Sequence, residues 1–93
     1  MNGRYADKGP MMSEAGHDLH TLFPDHESAL HTLKLDNSQF RELAAEHHDL
    51  EVQIQRFEAG LAATSDEELE ALKKKRLFVL DQISALIAEE EKA

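Results

Sequence analysis

The chain has 93 residues, no cysteine, no tryptophan and a formal charge of −9. A chain this short makes one domain at most and buries only about 60–65% of the surface its unfolded form exposes, so its core is marginal unless copies associate. Without cysteine there is neither a disulfide framework nor a thiolate zinc site, which fits a reducing cytoplasm. The acidic balance opposes nonspecific attraction to DNA, RNA or anionic membranes.

No run approaches the roughly 18 apolar residues needed to span a bilayer. The opening MNGRYADKGPMM lacks the apolar core of a secretory signal, so a cytoplasmic location is expected. The aromatic residues are four Phe and one Tyr, and they offer no platform for base stacking. Residues 1–18, with Gly3, Gly9, Pro10 and Gly16 and little apolar content, are expected to form a disordered tail ahead of a helical domain over 19–91. Met11 and Met12 offer alternative starts of translation.

The first helix is expected at about 24–35. Pro24 suits a first helical turn, where its missing N–H costs nothing. Asp25 and Glu27 favour the positive end of the helix dipole, and Leu30 and Leu33 continue at helical spacing. The run Leu35-Asp36-Asn37-Ser38-Gln39 then interrupts the stripe with residues of strong N-cap preference, Asp36 and Gln39 standing at capping-box spacing. A break or kink is expected there.

The second helix is expected at about 37–59. Phe40, Leu43, His47, Leu50, Ile54, Phe57 and Leu61 step by three and four, a heptad seam in which His47 holds one apolar slot. Gly60 stands where a left-handed C-terminal cap belongs. Ser65-Asp66-Glu67-Glu68 reads as a capping box opening a third helix at about 66–90. Its stripe is Leu69, Leu72, Val79, Ile83 and Leu86, widened by Leu80 and Ile87, with Arg76 in one slot.

Two periodic segments joined by so short a connection pack antiparallel. Folding the chain about the turn sets Phe57 against Leu69, Ile54 against Leu72 and Leu50 against Arg76. His47 then meets Val79, Leu43 meets Ile83 and Phe40 meets Leu86. The expected fold is therefore all-α: an antiparallel two-helix coiled-coil hairpin with a short additional N-terminal helix. That pairing uses up the third helix and leaves Leu19, Leu22, Phe23, Leu30, Leu33 and Leu35 without a partner. A short amphipathic helix is not stable alone in water, so it folds back on the hairpin or packs on another subunit. Leu77 and Phe78 also lie off the seam, as does Val52. The candidate interaction surface is Leu22, Phe23, Leu30, Leu33, Leu35, Leu77 and Phe78, and a homodimer is the favoured assembly.

These spacings also carry a resemblance. Leu22-Phe23-Pro24 through Leu33-Lys34, the seam Phe40, Leu43, His47, Leu50 and Ile54 with Arg56 and Glu58, and the later Leu72-Lys73-Lys74, Arg76-Leu77, Asp81 and Ile83 together resemble the YdcH family. The resemblance covers about residues 20–88. It implies a small bacterial cytoplasmic helical hairpin and brings no established activity or catalytic residues. The chain departs from the family pattern at Leu80, where a Lys is usual, at Gln82, where a Glu is usual, and at Phe57, where a polar residue is common. Leu80 and Phe57 make the helices stickier, which favours self-association over a charge-mediated contact.

Six histidines invite a metal reading, and His17 with His20 have helical spacing. They fall in the expected tail or its fraying edge, and adjacent His47 and His48 project about 100° apart on a helix. No metal or cofactor is expected. His47 is read as a buried polar layer that fixes register, with Arg76 one layer away and able to reach Glu51 or Glu46. The basic run Lys73-Lys74-Lys75-Arg76 fans around the helix, so pairing such as Glu70 with Lys74 is favoured over phosphate contact. Nucleic acid or metal binding by this run or by the histidines is the alternative function. No phosphate-cradling Gly loop or nucleophile elbow is present, so no enzymatic activity is expected.

Overall fold

The computed structural model describes residues 19–92. The expected tail, with His17, lies outside them. Three helices follow a single helical turn at residues 19–22: α1, Glu27–Asp36; α2, Ser38–Glu58; and α3, Asp66–Lys92. Among the described residues there is no strand.

The start of α1 differs from the sequence expectation. Pro24 lies not in the first helical turn but in the reverse turn before it. Phe23 closes the preceding helical turn with its N–H on the Leu19 carbonyl at 2.8 Å, and the His26 N–H then bonds the Phe23 carbonyl at 3.1 Å. A proline pushes the residue before it out of the helical region, so Phe23 breaks the chain and Pro24 takes the second position of a β-turn. The helix therefore begins at Glu27.

The break between α1 and α2 is a single extended residue, Asn37, at φ −126° and ψ 106°. Its Oδ1 accepts the Phe40 backbone N–H at 2.8 Å. The N-cap is thus Asn37, while Asp36 ends α1. Arg41 reaches back from α2, donating from Nη1 to the Lys34 and Leu35 carbonyls at 2.9 and 3.2 Å. It satisfies acceptors that the end of α1 leaves open.

The hairpin turn is closed from both sides. Gly60 adopts φ +77°, and the Leu61 N–H bonds the Arg56 carbonyl while the Gly60 N–H bonds that of Phe57. This is the Schellman pattern, and the left-handed residue at its centre favours glycine. Ser65 Oγ accepts the Glu68 N–H at 3.1 Å, which opens α3. The Glu68 carboxylate takes the Thr64 hydroxyl at 2.9 Å in place of the Ser65 amide that a capping box implies.

The two long helices pack against each other and α1 packs on both. The seam buries Phe40, Leu43, Ala44, His47, Leu50 and Ile54 of α2 with Val79, Ile83 and Ile87 of α3. Ile87 is buried where the heptad reading placed Leu86, which is only half-buried. The cause is α1. Near its C-terminal end α3 serves two neighbours, so its buried face turns toward the side that Ile87 occupies. α1 contributes Ala29, Leu30 and Leu33 to the same core, and the turn before it contributes Leu19.

Candidate interaction surface

The fold-back of α1 divides the predicted surface residues. Leu30 and Leu33 are buried in the chain's own core, at 2% and 3% exposure, so they are not available to a second chain. Phe23 is half-buried against that core, its ring edge-on to His26 at 6.3 Å. The expectation that Leu30 and Leu33 offer a surface is corrected by intramolecular packing, because the helix that carries them is sealed onto the hairpin, while Phe23, in the turn before that helix, keeps only part of its ring exposed. Leu22, Leu35, Leu77 and Phe78 are exposed, as are Val52 and Leu61. Leu19, counted with the unpartnered stripe but not with the candidate surface, is almost fully buried. Its spacing of four to Phe23 was the available signal.

α1 covers only one end of the hairpin. His26 Nδ1 lies 2.5 Å from the Glu91 carboxylate, and Ser28, Ala29 and Thr32 border a shallow depression with Glu90 and Glu91. Ten residues of helix extend about 15 Å, against about 40 Å for the 27 residues of α3. The turn end stays two helices thick, and Phe57, Leu69 and Leu72 there are only half-buried. An open depression of about 410 Å³ lies between the helices there, lined in part by Gln53, Phe57, Ala71, Leu72 and Lys75.

The polar residues of the hairpin pair across it. Arg76 donates from Nη1 to Glu51 Oε1, the contact that its place in the stripe made available. Lys73 Nζ sits 2.9 Å from Glu58 and Lys75 Nζ 3.6 Å from Glu46. The Lys73 hydrogen bond, followed by the Lys73 charge, holds the Glu58 carboxyl below the ordinary carboxylate range; desolvation opposes this, and the charge of Arg76 adds the least. Three of the four residues in the basic run therefore serve the hairpin. His47, 1% exposed, is the buried polar residue of the seam. It and Arg76 come from facing helices, but only His47 is fully enclosed.

Among the described residues no group of three or more His, Asp or Glu is placed to hold a metal ion, and no helix is long and apolar enough to cross a membrane.

Taken together, the fold and its surface define a small all-α protein built on an antiparallel helical hairpin. The family model described as "Protein of unknown function (DUF465)" matches residues 40–87, just over half of the chain. The chain belongs to that family, which is the YdcH family its motifs resemble. The matched segment is α2, the turn and most of α3, and it stops short of α1. Neither the curated proteins nor the solved structures contain a match.

Proposed function

We propose that the protein works by protein–protein contact rather than catalysis, that it acts in the cytoplasm, and that it associates with itself as a dimer. One observation carries this reading. Phe78 remains 63% exposed on the longest helix, with Leu77 exposed beside it, although α1 already covers one end of the single chain's core. Large apolar side chains left together on such a surface mark a contact site. The leftover first helix no longer supports association, because its stripe is spent within the chain.

The basic run favours this reading over nucleic-acid binding, since Lys73, Lys75 and Arg76 face Glu58, Glu46 and Glu51. Sedimentation velocity of the full chain over a wide concentration range tests the proposal. The expected result is a reversible rise from monomer to dimer mass, and a monomer at every concentration overturns it.

A further inference from the structure

We infer that two copies meet through the outer face of α3, antiparallel about Phe78, with Lys74 of each chain paired to Asp81 of the other. The inference rests on the self-association proposed above and supplies its geometry.

The buried residues Val79, Ile83 and Ile87 fix the inward direction of α3. At 100° per residue the outward side carries Ala71, Lys74, Phe78, Asp81 and Ala85, and all five are exposed. They step by three, four, three and four, a second heptad row on the helix that faces away from the hairpin from Lys74 to Ala85, with Ala71 at its margin, where it also borders the depression beside Phe57. Leu77 lies about 100° around the helix and falls at the margin of this row.

The row is its own complement when reversed. Laid antiparallel over a second copy with the two-fold axis at Phe78, Ala71 faces the other chain's Ala85 and Phe78 faces Phe78. Lys74 and the second copy's Asp81 fall on the same flank, offset by one residue of rise. Lys75 and the second copy's Gln82 meet in the same way on the opposite flank. A parallel arrangement in register sets Lys74 on Lys74 and Asp81 on Asp81, so charge selects the antiparallel one. Within one chain Lys74 and Asp81 are two turns apart, about 10 Å along the axis, so they do not satisfy each other. The alanines at both ends leave room for the helices to close around Phe78, whose facing rings set the separation at the wide end of the usual range, about 10 Å.

Charge also sets the limits of the contact. The next residues outward, Glu67 and Glu89, face each other across the pair with like sign. This confines the contact to residues 71–85, about 21 Å of helix. One helix pair of that length lies at the small end of specific interfaces, so the dimer is weak, with a Kd in the micromolar range or above.

Sedimentation of the full chain with four variants tests the geometry, with circular dichroism verifying that each keeps its helix content. Phe78→Glu is expected to raise the dimer Kd about tenfold or more, because it places two carboxylates at the axis. Lys74→Glu and Asp81→Lys each turn two attractive contacts into repulsive ones and are expected to weaken the dimer several-fold. The double variant Lys74→Glu/Asp81→Lys restores the pairing with reversed sign and is expected to return the Kd to within about threefold of the parent. A parent dimer that is indifferent to Phe78→Glu, or a double variant no better than the singles, overturns this geometry and leaves self-association standing. A parent chain that is monomeric throughout overturns self-association itself and this geometry with it.

Discussion

Removing the side chain of Leu33 separates a helix sealed into the fold from one waiting for a second chain. Leu33 is 3% exposed in the core between α1 and the hairpin, and Leu35, two residues on, is 65% exposed. Leu→Ala at a buried site costs about 3–5 kcal/mol in well-packed interiors, less where the surroundings collapse into the space. α1 is ten residues long and joined through one extended residue, so it can move inward, and about 2–3 kcal/mol is expected. A domain of this size has roughly 4–11 kcal/mol of total stability. At about 4–8 °C per kcal/mol, Leu33→Ala therefore lowers Tm by about 10–20 °C. Leu35→Ala stays within about 0.5 kcal/mol of the parent. Urea denaturation followed by circular dichroism, at two protein concentrations, reads both variants. Equal midpoints for the two substitutions refute the packing described for α1. So does a Leu33→Ala chain that keeps its midpoint and loses only its self-association.

Gly60→Ala places a Cβ in open space, with nothing within 4 Å, so its cost of about 1 kcal/mol comes from the left-handed backbone alone. An unchanged thermal midpoint shows that the turn does not need that conformation. Asn37→Ala removes the cap on Phe40 and is expected to cost about 1 kcal/mol in urea denaturation, while Asp36→Ala changes little. The reverse order restores the capping role to Asp36. The folded-state value of Glu58 is depressed, so the stability from its pairing with Lys73 is present above the unfolded carboxylate pKa and is lost as pH falls through the lower folded value. An NMR titration of the Glu58 carboxylate in a Lys73→Met chain is expected to move its midpoint upward, and an unmoved midpoint removes Lys73 as the cause.

The hairpin was readable because its signals agree at every level. The seam of α2, the glycine past its end and the serine that opens α3 each point to one antiparallel pair. The destination of α1 was not readable. Leu30 and Leu33 announce that a stripe needs covering, and periodicity does not say by which surface. The structure supplies the reason for the outcome. A single linking residue, Asn37, holds α1 beside its own hairpin at a local concentration that a second chain does not match. The same neighbour accounts for Ile87, read as widening the stripe, being buried more deeply than Leu86, which packs half-buried against the same core. Pro24 fits a first helical turn and a reverse turn equally well, since both take a non-helical residue before it, and the sequence therefore did not separate them. On the candidate surface, Phe78 was legible as a large apolar residue off the seam. The outer row around it becomes visible only once the buried face of α3 is fixed.

The one-sided cover that α1 gives the hairpin also grades how the molecule opens. Amides in the first half of α2 and the last half of α3 lie behind three helices, and their hydrogen exchange requires the whole domain to come apart. Those flanking Gly60 lie behind two helices joined by half-buried layers, and they exchange through a smaller opening that leaves the other end intact. Exchange is therefore expected to be faster around the turn than at the covered end, with Phe78 near the boundary between the two.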